Sequence, residues 1–358
     1  MSAQQQVCTA LSALVETCQA ARDSVSNSLA QEDQDVPALV VLQKDLLSLL
    51  SLLYGSVTKL SLALKPSSPS YSACLAPLKG LSERIAALSH CTNMFSASVH
   101  GATLIKQTAS VVVDVVGAVQ ALTTTFLEIE EGKRQRSGDE YLVRTGAVHS
   151  LIEMARSGNI LPKDNLTAVR HVWTEDAGAL ADGVREVGDM IEDSQSETDI
   201  IDEEDGWDEL GIEPNKPLTE EELERAKKVL IVLRLCNILH KKVVSDILSA
   251  SSSLSNSDLD SIAPLSSAML SASDELISAL DSPQDFEYIM DELNALKDVI
   301  DAIRSRLNQF NSLVNLIENS SLNDPEVLPS TSQSSREKWF KGCFDQIAKA
   351  IQMVGTGV

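Results

Sequence analysis

The feature that most constrains this sequence is an apolar heptad pattern between residues 283 and 319. Apolar side chains recur there at alternating spacings of three and four residues: Phe286, Ile289, Leu293, Leu296, Ile300, Ile303, Leu307, Phe310, Val314 and Ile317. This spacing predicts one long α-helix with a continuous apolar face. A free dimeric coiled coil and the interior of a helical bundle both use such a pattern. Additional apolar residues at Met290, Val299, Leu313 and Leu316 widen the face, which favours the bundle interior.

Comparable stripes predict nine more helices, and no segment shows the alternation of a strand. The stripe of the first helix is Val7, Leu11, Leu14, Cys18, Ala21 and Val25, and that of the second is Leu39, Leu42, Leu46, Leu49, Leu53, Val57, Leu60 and Leu64. Their approximate ranges are 5–29, 37–64, 72–94, 96–131, 139–157, 162–193, 219–250, 257–280 and 336–354. Aromatic residues make up 4% of the chain, so the core is expected to consist mainly of Leu, Val, Ile and Ala. The run Val229–Leu239 is apolar nearly all round, which predicts a central, buried helix. The sequence therefore predicts an all-α fold.

An acidic segment divides the chain. Residues 192–222 hold fourteen carboxylates and one cation, Lys216, in a chain whose formal net charge is −23. We predict two antiparallel helical bundles, 1–193 and 219–358, joined by an acidic flexible linker at 194–218. At the end of this segment, Thr219 and Glu222 have the spacing of a capping box ahead of an apolar run, which predicts that a helix begins there.

Composition excludes several classes of partner. The strongly negative charge disfavours direct binding to nucleic acid or to an anionic membrane surface. No uninterrupted apolar run reaches the roughly 18 residues of a membrane span. The opening MSAQQQ lacks the pattern of a signal peptide, and the six cysteines include no C-x-x-C pair. We expect an intracellular protein with reduced thiols and no membrane span.

No catalytic or metal-binding motif stands out. The five histidines are isolated, and the H-E-x-x-H, phosphate-loop, dinucleotide-binding and nucleophile-elbow patterns are absent from the sequence. No Glu is followed three residues later by His, as a diiron bundle requires. The sequence therefore predicts a protein that is not an enzyme and has no cofactor. The basic KRQR at 133–136 is typical of a solvated loop, with nuclear import as the alternative.

Candidate partner-binding residues lie in two places. Trp207 sits among the carboxylates of the acidic segment, where it could dock on a basic groove or pack against its own bundle. Trp339, Phe340 and Phe344 lie on the apolar face of the last helix, which follows a Pro/Ser/Thr-rich linker.

Acidic residues three places further on also make Ser194, Ser196 and Thr219 candidate phosphorylation sites. We favour a passive tether between the bundles as the interpretation of the acidic segment, with docking or phosphorylation as the alternative.

Five short motifs in a fixed order carry a family resemblance. They are HGATL (100–104), RTGAVHSL (144–151), LPKDN (161–165), ADGVREVGDMIED (181–193) and, after the acidic break, TEEELERAKKVL (219–230). Their order and spacing over about 95–245 resemble the GCIP (Grap- and cyclin-D-interacting) family of cyclin-D-binding proteins. From their residue types, we expect LPKDN to form a structural turn and Gly101 and Gly146 to permit close helix approach. His149 departs from the family pattern, which tends to have Trp after T-G-x-V.

The resemblance implies two talin- or vinculin-like helical bundles. It also implies a regulator that acts by binding proteins, is a monomer and is located in the cytoplasm and the nucleus. Its implied partners are cyclin-like or helix-loop-helix proteins, and its implied effect is to restrain cell-cycle progression and helix-loop-helix transcription. The alternative function is a structural adaptor of cytoskeletal or membrane-adjacent complexes.

Overall fold

The computed structural model describes residues 2–27, 36–133, 138–195, 218–249, 254–320 and 331–356, and the side chains of all of these except 311–320 and 331–334. Within those ranges the fold is all-α, as predicted, with no β-strand. Eleven α-helices and one π-helical turn (Val243–Ile247) are present: α1 (Ala3–Ser26), α2 (Leu39–Ala63), α3 (Tyr71–Asn93), α4 (Ala97–His100), α5 (Ala102–Glu130), α6 (Glu140–Arg156), α7 (Asn165–Gln195), α8 (Glu220–Lys242), α9 (Asn256–Ser278), α10 (Phe286–Ser320) and α11 (Thr331–Gly355).

Several helix starts differ from the sequence prediction, among them that of α11, which begins at Thr331 rather than near residue 336. The helix predicted over 96–131 is interrupted at Gly101, whose φ of 96° ends α4 and leaves α5 to begin at Ala102. The helix predicted to begin near Pro162 begins at Asn165, because the Asp164 carboxylate accepts a hydrogen bond from the Thr167 N–H (2.7 Å) in the manner of an N-cap.

The chain divides into two compact units, Met1–Ala168 and Val169–Val358. The first unit packs α1 against α3 and α5, α2 against α3 and α6, and α5 against α6, which closes a ring of five long helices. Ser61 of α2 is hydrogen-bonded to Thr145 of α6 (2.7 Å), and Thr58, which is earlier in α2, is hydrogen-bonded to His149, which is later in α6 (3.2 Å). The two helices are therefore antiparallel.

The stripe of α1 predicted from spacing is fully confirmed, since each of its residues is at most 6% exposed: Val7, Leu11, Leu14, Cys18, Ala21 and Val25. On α2, Leu50 rather than the predicted Leu49 joins the buried stripe between Leu46 and Leu53. Spacings of three and four residues therefore identified the core face of these helices to within one position.

The second unit contains α8 packed against α11, α9 against α10, and α10 against α11. The heptad stripe of α10 lies in its interior: the seven residues at stripe positions between Ile289 and Phe310 are at most 5% exposed. Phe286, the first residue of the stripe, is instead 40% exposed and lies under the Arg225 guanidinium (5.4 Å to the ring centroid). The side chains of Val314 and Ile317 lie outside the described residues.

Helix α8 is not buried all round, which corrects the prediction for the run 229–239. Val229, Val232, Leu233, Cys236 and Leu239 are buried, whereas Ile231 is 44% exposed and Ile238 is 50% exposed. An apolar side chain at every helical position does not require a partner on every side, because folded proteins retain much apolar surface. One face of α8 therefore remains accessible.

The boundary between the compact units falls in the sequence between Ala168 and Val169, near the start of α7, whereas the sequence analysis predicted that the first domain ends at residue 193. Most of α7 packs with the second unit: Trp173 is fully buried, and its indole N–H donates to the Ile262 carbonyl (3.3 Å). The assignment of two separate domains stays a prediction. Of the predicted linker, residues 196–217 lie outside the described residues.

Two helices, α2 and α5, are long and apolar enough to cross a membrane by length and composition alone. Both supply core residues of the first unit, Leu46 and Leu53 from α2 and Val115 and Val119 from α5, each fully buried. Core helices of soluble bundles share this composition, so these two helices carry little weight as evidence for a membrane span.

Candidate functional site

The three aromatic residues predicted on the last helix occupy different environments. Phe340 and Phe344 are buried (6% and 5% exposed), whereas Trp339 is half-buried. The Lys242 ammonium lies 5.4 Å from the centroid of Trp339, and the Arg304 guanidinium lies 5.6 Å from that of Phe344. The two phenylalanines therefore pack in the second unit, and Trp339 is the part of this cluster that a partner can reach. Their role in partner binding stays a prediction.

Two of the candidate residues of the acidic segment, Trp207 and Ser196, lie outside the described residues. Ser194 lies in the last turn of α7 and donates a hydrogen bond to the Met190 carbonyl (2.8 Å). Thr219 is the N-cap of α8. Phosphorylation at Ser194, Ser196 and Thr219 stays a prediction.

The capping box predicted at Thr219 and Glu222 is present. The Glu222 N–H donates to the Thr219 hydroxyl (3.3 Å), and the Thr219 N–H donates to the Glu222 carboxylate (2.8 Å). The same carboxylate accepts hydrogen bonds from the Gln284 N–H (2.8 Å) and the Ser282 hydroxyl (3.4 Å). Burial alone would raise the pKa of Glu222, but the hydrogen bonds from Gln284, Thr219 and Ser282 together hold it below 4.5. The capping residue Glu222 thus also binds the loop that contains Ser282 and Gln284, ahead of α10.

The motifs HGATL and LPKDN meet in the first unit. The Leu104 N–H, in the first turn of α5, donates to the Asn165 side-chain carbonyl (2.9 Å). Asn165 is 2% exposed, and its amide occupies the space that a Cβ at Gly101 would fill. Asn165 therefore caps α5 from a distant part of the sequence, and Gly101 makes room for it.

This arrangement refines the expectations for both motifs. The close approach expected at Gly101 is confirmed, although the neighbour is a side chain rather than a helix backbone. The expectation for Gly146 is wrong, because nothing lies within 4 Å of the position of its Cβ. Within the LPKDN turn, Asp164 caps its own helix, α7, whereas the side chain of Asn165 caps α5.

His100, next to Gly101, is also held by hydrogen bonds at both ring nitrogens. Its Nδ1 accepts a hydrogen bond from the Ser96 N–H (3.1 Å), so its Nε2 carries the proton and donates to the Pro37 carbonyl (3.0 Å). Burial lowers the pKa of His100, and the hydrogen bond to Pro37 acts in the opposite direction. With both ring nitrogens occupied and 4% of the residue exposed, His100 holds the chain ahead of α2 and is not available to a ligand.

His149 packs as an aromatic ring against α2. Its ring stacks on Tyr54 with centroids 3.9 Å apart and an interplanar angle of 18°. Its Nε2 lies 3.2 Å from the Thr58 hydroxyl. Burial is the main cause that lowers the pKa of His149. The imidazole ring therefore contributes to the packing between α2 and α6.

A Ser, a His and an Asp meet in the second unit, but not in the order of a catalytic triad. The Ser266 hydroxyl donates to the Asp176 carboxylate (2.6 Å) and lies 2.8 Å from His240 Nε2, which must therefore be the donor in that pair. A nucleophilic serine donates to the histidine instead. His240 and Ser266 are both fully buried, and Trp173 stacks on the imidazole (4.5 Å between centroids). Burial lowers the pKa of His240 to about 4, so the neutral ring is a packing element.

Five of the six cysteines are buried, and Cys8 is half-buried. Burial raises the pKa of Cys18 and Cys236 to about 12, and that of Cys74, Cys91 and Cys343 to about 11. Such thiols are protonated at neutral pH and react slowly. Among the residues that the structure describes, no three side chains of His, Cys, Asp or Glu are grouped so as to hold a metal ion.

One groove of about 510 Å³ opens in the first unit between the ends of α1 and α3 and the start of α5. Its wall is mostly apolar, with Val25, Phe95, Ile105 and Val113, and Lys106 lies at its edge. The side-chain carbonyl of Asn93, which also lines this groove, is buried without a hydrogen-bond partner. The groove has the size of a small binding site, but no cluster of reactive groups points into it.

Long helices with enclosed polar side chains and open helix faces define a helical-bundle protein suited to contacts with other macromolecules. Comparison with known families agrees. Residues 45–193 match the family described as Grap2 and cyclin-D-interacting, N-terminal, and residues 203–305 match its C-terminal counterpart. The chain belongs to this GCIP family, as the motifs of the sequence indicated. A comparison with curated protein sequences finds no match.

Proposed function

We propose that this chain is a non-enzymatic regulatory adaptor that acts by binding proteins, among them a D-type cyclin or a helix-loop-helix regulator. The observation that carries the proposal is the family match, which extends in two parts from residue 45 to residue 305. The family is described by its interactions with two proteins, Grap2 and cyclin D, and not by a reaction. Both the N-terminal and the C-terminal part of the family pattern are present in this chain, which supports a shared binding role.

The buried chemistry supports a binding role. Within the described residues, the polar groups whose arrangement is closest to a catalytic one are enclosed: His240 and Ser266 are fully buried, and both nitrogens of His100 are engaged. Exposed helix faces are accessible, and proteins recognise such faces with helices of their own.

The proposal extends to the cellular role. Binding of a cyclin or of a helix-loop-helix protein by a chain without activity of its own would sequester that partner, and would thereby restrain cell-cycle progression and transcription. We propose that the protein acts as a monomer in the cytoplasm and the nucleus. Fluorescent tagging of the full chain tests the location, and exclusion from the nucleus would contradict the transcriptional part.

The direct test is binding of the purified full chain to a purified D-type cyclin, measured by biolayer interferometry. We expect a dissociation constant of about 1 μM or tighter, which corresponds to roughly −8 kcal/mol. An A-type cyclin is the matched control. Equal binding to both cyclins, or no binding at about 100 μM, would contradict the cyclin part of the proposal. Co-sedimentation with actin filaments in a parallel experiment would favour the structural adaptor instead.

A further inference from the structure

The accessible face of α8 carries a regular stripe of alternating charge and apolar character. Its members follow one another at spacings of four and three residues: Lys227, Ile231, Arg234, Ile238 and Lys241. This spacing keeps all five on one side of a helix. Ile231 and Ile238 are 44% and 50% exposed, and Arg234 and Lys241 are also exposed. We call these five residues the α8 stripe.

The charge of this region is opposite to that of the whole chain. Residues 227–242 contain five cations, the three of the α8 stripe together with Lys228 and Lys242, and no carboxylate, although the chain carries −23. Lys227 is paired with Glu224 (2.7 Å) and Lys242 with Asp246 (2.9 Å). In the part of the chain that the structure describes, no carboxylate forms an ion pair with Arg234 or Lys241.

The neighbouring helix adds to the positive charge. Helix α11 packs against α8, and residues 336–349 of α11 hold four cations and two carboxylates. Lys242 and Trp339 come together where these two helices meet (5.4 Å from ammonium to ring centroid). A local positive field in a strongly acidic protein attracts anionic partners to that place and away from the remaining surface.

We propose that the α8 stripe is a docking surface for an acidic amphipathic helix of a partner protein. Two isoleucines one heptad apart fit between the apolar residues of a facing helix, and the cations on either side of them fit its carboxylates. The inference rests on the proposed function, because it specifies which face of the adaptor binds and the chemistry of the segment it takes. A nucleic acid fits less well, since the overall charge of −23 repels a polyphosphate and the isoleucines would gain no contact.

The probe is a synthetic, fluorescein-labelled helical peptide of about 21 residues with Leu and Glu alternating at heptad spacing, long enough to cover the 15-residue stripe. A scrambled peptide of the same composition is its control. We expect the full-length protein to bind the patterned peptide and not the scrambled one, by fluorescence anisotropy. Affinity should fall as salt rises from about 0.05 to 0.3 M, because exposed charges are screened.

Two variants test the surface. Charge reversal in R234E/K241E should weaken peptide binding at least about tenfold, and I231S/I238S should do the same by removing the apolar contacts. Matched controls are K59E, an exposed cation on α2, and L62S, whose side chain is 73% exposed on the same helix. Both controls should bind the peptide within about twofold of the unaltered protein. If R234E/K241E fails to fold, as judged by circular dichroism, the single substitution I238A replaces it as the test. We expect I238A to weaken peptide binding about threefold or more.

Several outcomes would overturn the inference. They are equal binding of patterned and scrambled peptide, unchanged binding by the α8 variants, or binding only to vesicles of anionic lipid. Self-association that the α8 variants abolish would show that the occupant is a second copy. Peptide binding that appears only in a chain lacking 196–217 would show that the chain's own acidic segment occupies the stripe. If R234E/K241E still binds the D-type cyclin, the inference that the α8 stripe is the docking surface is wrong, while the proposed function stands.

Discussion

Helices α5 and α8 both bury polar groups in their first turns, but the groups that cap them come from different parts of the sequence. Thr219 and Glu222 cap α8 from within four consecutive residues. The residue at the start of α5, Gly101, has no side chain, and the cap comes from Asn165, sixty-one positions from the Leu104 that donates to it. A local cap stabilises one helix, whereas a distant cap also fixes one helix against the start of another. This second kind of cap joins the HGATL and LPKDN stretches of the chain.

The substitution Gly101→Ala should have the largest effect. An alanine Cβ would collide with the Asn165 side chain, and a φ of 96° is strained for a residue with a Cβ. Together with the loss of the buried cap, we expect about 3–5 kcal/mol of destabilisation in the first unit, measured by urea unfolding. Gly146→Ala is the matched control, because that Cβ meets nothing and α6 should tolerate it or gain up to about 1 kcal/mol. Equal losses in the two variants would contradict the distant cap.

Asn165→Ala should have the second largest effect. We expect the free energy of unfolding to fall by about 2 kcal/mol, because the buried Leu104 N–H is left without its acceptor. Hydrogen exchange of the Leu104 amide gives the sharper measurement, since protection should fall there before it falls elsewhere in α5. Asn165→Asp retains an acceptor oxygen and should preserve most of that protection. If Asn165→Ala left exchange at Leu104 unchanged, the cap would have to come from another group.

Glu222→Gln tests the local cap through pH. The folded-state pKa of Glu222 lies below its ordinary 4.5, so the unfolded chain binds the proton more readily. Its contribution to stability is therefore complete above about pH 4.5 and is lost as pH falls through the lower folded-state pKa. We expect a loss of about 1–2 kcal/mol at neutral pH and a shallower decline below pH 4.5 than in the unaltered protein. Parallel declines in the two proteins would show that the charge of Glu222 is not used.

Thr219→Ala should have the smallest effect, about 1 kcal/mol, because it removes the acceptor for one N–H at an exposed helix start that water can reach. Thermal unfolding monitored by circular dichroism measures it, and Thr219→Ser, which keeps the hydroxyl, is the control. A loss as large as that of Asn165→Ala would mean that the local and the distant cap are equivalent, which would remove the contrast between α5 and α8.

Two heptad patterns show how far sequence reasoning reaches. The stripe of α10 was predicted to face a bundle interior, and its residues from Ile289 to Phe310 are buried. The α8 stripe has the same spacing and was visible in the sequence, but the apolar run 229–239 concealed it and predicted a helix buried all round. Spacing identifies which residues share a face, whereas the neighbours that cover a face are set by tertiary packing.

The candidate sites were less predictable than the fold. The capping box at Thr219 could be predicted because all of its atoms lie within one turn. The aromatic residues of α11 were identified as an apolar face, but the sequence could not tell that Phe340 and Phe344 would be covered while Trp339 would be only half-buried. Burial depends on contacts with α8 and α10, whose arrangement is not encoded in the periodicity of α11.

The sequence by itself determined the all-α class, the position of nearly every helix and most of the residues that face the core, because helical periodicity and caps are local properties. Its motifs, in order, also determined the family. Only the tertiary structure decided that Asn165 caps α5 and that its side chain occupies the space beside Gly101. The tertiary structure also decided that one face of α8 stays exposed in a chain of net charge −23. Each of these depends on residues far apart in sequence, and their distance in space is fixed only when the helices pack.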